Sequence, residues 1–264
     1  MTSLQRLAGG AATAFAALML AAPAYAGGSI KDKPEPRRCT LAANVALTTD
    51  YVFRGISQTA EAPAIQGGFD ATCGIFYAGV WASSLDLDLA GLASIEMDWY
   101  VGIKPVTGKI TWDLGVIYYS YPNAKDLSTA ELNMVELKVG ASGEVWKGGT
   151  LGVTVFYSPD YTTELGPVWT VETAFAQALP KVGMFTPTFS ALIGYQAGDD
   201  ATYSAAYGDS SYLYWNAGLT FGFADKFSID FRYWDTDLAS GTASCGTAVL
   251  QCDERYVATL KFTY

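Results

Sequence analysis

The side chains of this chain that could do chemistry are acids and bases set two residues apart: Glu96 and Asp98, Glu136 and Lys138, Asp230 and Arg232. Asp50 and Arg54 stand four apart. Even spacing puts the members of each pair on one face of a β-strand. Acids and bases opposed across such faces can line a polar passage or neutralise one another as ion pairs. Histidine is absent, which removes the usual activator of a Ser or water nucleophile together with His-based zinc and haem sites. Four cysteines lack the CxxC spacing of a metal knuckle. The expectation is therefore no enzyme, no metal and no cofactor.

The elements that must carry these residues are legible as alternating apolar and polar runs. Leu41 to Arg54 sets Val45, Leu47, Tyr51 and Phe53 against Asn44, Thr48, Asp50 and Arg54. Similar runs fall at 64–72, 75–84, 95–104, 110–119, 133–141, 151–157, 168–177, 188–196, 212–223, 227–234 and 255–264. That makes twelve, an even number, as single-chain bacterial barrels require. The last run ends on Tyr264 and alternates without a break from Tyr256. Beyond the N-terminal region no stretch reaches roughly 18 uninterrupted apolar residues, so a membrane would be crossed by strands. The expected fold is all-β, a single transmembrane antiparallel up-and-down β-barrel of about 12 strands, apolar outside and polar within.

Met1 to Ala26 has a basic start, a small apolar stretch and an Ala24-Tyr25-Ala26 ending, the pattern of a secretory signal peptide. The expected organisation is a leader over 1–26, a periplasmic segment over 27–40 and the barrel over 41–264. Charged residues are only 16% and aromatics 14%, against about 25% charged in soluble domains, so much of the surface is expected to avoid water. Without Arg6 of the leader there remain 15 basic and 26 acidic residues, which argues against nucleic acid as a partner.

Connections after even-numbered runs are short (Cys73-Gly74, Val106 to Gly108, Ala224 to Lys226), with longer ones at 142–150 and 178–187. Those after odd-numbered runs are mostly long, as outer-membrane barrels place turns in the periplasm and loops outside. The long loops hold fourteen acids, Asp199, Asp200 and Asp209 among them, against one base, Lys125. Such a mouth would favour cations if its field reaches a pore. Equally, it could keep the surface soluble or hold divalent ions beside lipopolysaccharide.

The residues expected to line the lumen are Asp50, Asp70, Glu96, Asp98, Asp113, Glu136, Glu172 and Asp230, with Arg54, Lys104, Lys138, Arg232, Arg255 and Lys261. On a lipid face each base would cost roughly 2–4 kcal/mol at mid-depth. Two readings stand: a narrow water-filled channel for passive diffusion of small polar solutes, or a non-conducting structural or surface-recognition barrel whose lumen is closed by salt bridges. Tyr and Trp near run ends (Tyr118, Tyr119, Tyr121, Tyr212, Tyr214, Trp215, Tyr233, Trp234) fit interfacial girdles. Cys39 and Cys73 would meet at the periplasmic rim, and Cys245 and Cys252 would close the last loop, a pairing that keeps each disulfide on one side of the membrane.

The segment Leu47-Thr48-Thr49-Asp50-Tyr51-Val52-Phe53-Arg54-Gly55-Ile56-Ser57-Gln58-Thr59 resembles the TorF family of proteobacterial porins. So do Gly79-Val80-Trp81-Ala82-Ser83-Ser84, Glu96-Met97-Asp98-Trp99-Tyr100 and Tyr118-Tyr119-Ser120-Tyr121-Pro122. The resemblance implies a porin-like protein of the bacterial outer membrane and brings no solute or binding residue with it. The expected partners are outer-membrane lipid and lipopolysaccharide, small polar solutes, and the assembly machinery through the C-terminal strand.

Overall fold

The computed structural model describes residues 39–86, 93–122, 124, 131–246 and 250–264. The expected leader over 1–26 and nearly all of the expected segment over 27–40 lie outside the described residues. In chain order the elements are β1 (Thr40–Thr48), β2 (Val52–Phe53), β3 (Ile56–Ser57), β4 (Ala64–Cys73), β5 (Phe76–Ser84), β6 (Ile95–Ile103), β7 (Val106–Thr107) and β8 (Ile110–Ser120). There follow β9 (Met134–Trp146), β10 (Gly149–Ser158), β11 (Val168–Ala178), β12 (Thr186–Gly198), helix α1 (Ala201–Tyr207), β13 (Ser211–Phe223), β14 (Phe227–Thr236) and β15 (Arg255–Thr263). Setting aside the two-residue strands β2, β3 and β7, twelve strands pair antiparallel in one ring. Neighbours in sequence are neighbours in space, and β1 meets β15 from Asn44↔Thr263 to Thr48↔Thr259. This is a closed up-and-down β-barrel.

Closure explains the side-chain pattern. A strand in hydrocarbon must pair its backbone with neighbours, which leaves its side chains to divide between lipid and bore. Outward-facing Leu47, Val101, Val139, Ile193, Phe231 and Leu260 are exposed, an inversion of a soluble protein's surface. The intervening positions Asp98, Glu136, Lys138, Gln196 and Asn216 are buried inside.

Three expectations need correction. The run Leu41 to Arg54 is not one strand: β1 leaves the wall after Thr48, and Tyr51 and Phe53, expected to face outward, are 0% and 5% exposed inside the barrel. Thr48 Oγ1 donates to the Asp50 carbonyl at 2.8 Å, and Asp50 takes hydroxyl hydrogen bonds from Ser57 and Thr59, so local side chains turn the backbone off the ladder. The connection expected over 142–150 is only Lys147-Gly148, with Gly148 at φ +75°; β9 and β10 keep pairing past the apolar belt because a ladder needs no apolar side chains. The loop at 197–211 holds α1, with Asp200 as N-cap and Gly208 at φ +81° ending it.

The exterior demands a test by charge. Leu260→Arg, on the lipid face of β15, should destabilise the folded barrel by about 2–4 kcal/mol, while Ser228→Arg, on the bore face of β14, should cost less than about 1 kcal/mol. Urea unfolding from lipid vesicles reads both, and equal losses would contradict the assigned faces.

Candidate functional site

The segment that leaves β1 crosses the bore as a hairpin. β2 and β3 pair through Val52↔Ser57 and Phe53↔Ile56. The two residues between them, Arg54 (φ +46°) and Gly55 (φ +84°), have the two positive φ angles that a tight hairpin turn requires. At the root, the Asp50 carboxylate accepts from Ser57 Oγ at 2.7 Å, Thr59 Oγ1 at 2.8 Å and the Arg255 guanidinium at 3.3 Å. The Ser57 amide donates to the Gln251 carbonyl at 2.8 Å, tying the hairpin to the last long loop.

Its tip reaches the far wall. Arg54 makes a two-pronged ion pair with Glu136 of β9, both contacts at 2.9 Å, and donates to Gln196 of β12 at 3.0 Å. Its guanidinium stands 5.2 Å from the ring centre of Phe156 on β10, which lies six places from β1 in the ring of twelve and so opposite the hairpin's root. A Cβ on Gly55 would come within 2.2 Å of Thr236, so only glycine fits there. The Arg54 and Glu136 side chains are 2% and 1% exposed. At that depth the loss of either partner leaves an unneutralised buried charge.

Tyrosines fill the space around the tip. Tyr119 donates to Glu136 at 2.8 Å, Tyr214 to Glu172 at 2.6 Å and Tyr51 to Glu96 at 2.7 Å. Tyr203, Tyr207 and Tyr212 stack in series, with ring centres 4.5 and 5.3 Å apart. The girdle expectation is corrected for five of its eight residues, while Trp215 and Tyr233 keep the outward parity. Tyr118 faces out, while Tyr119, Tyr121, Tyr212, Tyr214 and Trp234 are buried inside.

The expected lumen residues divide between two levels. Asp50, Arg54, Glu96, Asp98, Glu136, Glu172 and Arg255 surround the hairpin on the long-loop side. Asp50 and Arg54 belong to the crossing segment and not to a wall strand. Towards the short turns, Lys138 and Lys104 approach Asp113 at 3.0 and 3.8 Å, Tyr77 donates to Asp113, Tyr100 donates to Asp70, and Arg232 pairs with Asp230 at 2.9 Å. Beneath the hairpin lies a cavity of about 380 Å³, bounded by Tyr51 and Val52 and lined by Asn44, Gln66, Ser190, Asn216, Arg232 and Lys261. The hairpin and its tyrosines pack the long-loop side of the bore, and the chamber on the other side is bounded mainly by β1 and β11 to β15.

Cys39 pairs with Cys73 beside the register partners Thr40↔Thr72, and Cys245 pairs with Cys252, so both expected disulfides form. Among the described residues no group of three His, Cys, Asp or Glu side chains is placed to hold a metal ion. Asp199, Asp200 and Asp209 sit together on the exposed loop that carries α1. The Asp200 carboxyl is held below its ordinary range by hydrogen bonds from the Thr202 amide and hydroxyl. Lys125, the one base of the long loops, lies outside the described residues.

Gln196 and the inward tyrosines are site residues that charge patterning does not select. Only strand parity finds them: Tyr212 and Tyr214 share the bore face with Asn216.

A closed ring of strands, an apolar exterior and a charged, partly hollow interior define a porin-type barrel of the bacterial outer membrane. The chain belongs to the family described as "Bacterial protein of unknown function (Gcw_chp)", whose model matches residues 34–264. No curated protein matches the chain in sequence. Among solved structures the fold is similar to KdgM porin, at 8% identity and TM-score 0.55 over 84% of this chain and 99% of that one. It is also similar to NanC porin, at 10% identity and TM-score 0.52 over 85% and 98%.

The tip contact gives a direct expectation. Arg54→Ala strands the Glu136 carboxylate at a cost of about 3–5 kcal/mol, which should unseat the hairpin and speed protease cleavage within 50–61 more than about a hundredfold. Adding Glu136→Gln should restore most of the protection. Unchanged cleavage in the single variant would show that this pair does not hold the tip.

Proposed function

We propose that this protein is an outer-membrane channel for the passive diffusion of small polar solutes, closed in the described state by its own inward hairpin. The observation that carries this reading is the pairing of Arg54 with Glu136 across the bore above an open chamber of about 380 Å³. A wall strand could supply structural packing without leaving a chamber. A segment that departs from the wall, crosses the bore and is fastened by ion pairs at root and tip is built to be seated and unseated. The resemblance to TorF porins and the similarity in fold to KdgM and NanC porins support a conduit over an enzyme. The protein would sit among outer-membrane lipid and lipopolysaccharide, with β15 as the strand read by the assembly machinery. The acidic loops, including Asp199, Asp200 and Asp209, give its mouth a preference for cations.

The packed long-loop side of the bore favours a second reading, a non-conducting structural or recognition barrel. Planar-bilayer recording separates the two. Wild-type protein should show rare openings, and replacement of 50–61 by a Gly-Ser linker of equal length should give steady single-channel steps. No steps from the linker variant would sink the channel reading. In that variant, neutralising Asp199, Asp200 and Asp209 to Asn should move the reversal potential in a salt gradient towards zero selectivity. An unmoved potential would remove these loop residues from ion selection.

A further inference from the structure

We propose that Glu96 and Asp98 form a proton-binding pair that latches the inward hairpin, so that loss of the shared proton releases it. The inference rests on the channel reading for its physiological meaning but not for its test. Both residues lie on the bore face of β6, two apart, and both are 0% exposed. Glu96 accepts a hydrogen bond from Tyr51 at the hairpin's root. Among the described residues no hydrogen-bond donor reaches either carboxyl oxygen of Asp98; the Glu96 carboxyl lies against it and also takes the Tyr121 hydroxyl.

The groups facing the pair account for the local charge. From β5 come Trp81 and Ser83, register partners of Asp98 and Glu96. β8 contributes Tyr119, opposite Asp98, and the loop after β8 contributes Tyr121. From β9 comes Glu136, and from the hairpin Tyr51 and Arg54. Arg54 is the one base in this set, and its guanidinium is engaged by Glu136 and Gln196, as the Tyr119 hydroxyl is by Glu136. Among the described residues no other base faces Asp98.

A dry carboxylate without a counter-charge or donor is too costly to persist, and such a group takes a proton instead. Asp98 therefore holds a proton shared with Glu96, while Glu96 accepts from Tyr51. When base takes that proton into bulk water, two negative charges stand side by side beneath the Tyr51 ring. Water relieves them only if Tyr51 withdraws, and Tyr51 withdraws with its hairpin. The seated state binds the extra proton, so seating is favoured at low pH and lost as pH rises.

Amide hydrogen exchange of the full-length barrel in detergent micelles tests this without any need for conduction. Wild type and Asp98→Asn are compared at the same pH, which cancels the intrinsic pH dependence of exchange. Over 50–61, wild type should exchange about tenfold faster than Asp98→Asn under mildly alkaline conditions, the effect of about one unit of coupling. The two should match under mildly acidic conditions. Glu96→Gln, which removes the second charge, should likewise flatten the wild-type rise with pH, and it decides the matter if Asp98→Asn does not refold. A wild-type to variant ratio that is the same at both pH values overturns the latch. Steps in bilayers with a flat exchange ratio would sink the latch and leave the channel. The expected exchange pattern without steps from the linker variant would sink the channel and leave the latch.

Discussion

Every strand of this molecule depends on one constraint: in hydrocarbon a backbone amide or carbonyl must find its partner within the protein. The ring meets it by joining β1 to β15 and β6 to β8, so that no edge is left open along the spanning strands. Once the backbone is satisfied laterally, side chains can point only to lipid or to the bore. The strict alternation of Leu260 and Lys261, or of Val101 and Gly102, follows from that geometry. So does the placement of nearly all the wall charges on one side of the sheet.

A ring of twelve encloses more space than its own side chains fill, since eight strands already accommodate them. This chain resolves the surplus differently at two depths. Near the long loops it inserts a hairpin and a set of tyrosines, and four of the buried charged groups there pair, Arg54 with Glu136 and Arg255 with Asp50. Towards the short turns it keeps a chamber with Arg232, Asp230 and Lys261 in its wall. Filling by a seated segment and a polar-lined chamber, which look like rival descriptions of one lumen, occupy different levels of it.

The barrel was largely legible in sequence because a period of two leaves a direct trace wherever one face meets lipid. The runs at 64–72, 95–104 and 110–119 lie within a residue or two of β4, β6 and β8. The hairpin was not legible, because Tyr51-Val52-Phe53-Arg54 continues the alternation of β1 and periodicity cannot tell a wall strand from one crossing the interior. The weak trace was Arg54-Gly55 between two short β-prone pairs, a spacing that suits a tight turn. Residue type alone places Tyr212 and Tyr214 at a membrane interface, whereas the parity of their strand turns them inward. Which acids find bases, and that Asp98 finds none among the described residues, depends on contacts across the ring that no local pattern encodes.

The attachment of the hairpin's root carries a consequence for the order of assembly. Asp50 is emitted early by the ribosome, whereas its guanidinium partner Arg255 begins the final strand, and Gln251, which receives the Ser57 amide, lies just before it. A half-built cylinder therefore offers the crossing segment its tip contacts but not its root mooring. Seating that is fastened at both root and tip is thus coupled to completion of the circle, when its two ends meet.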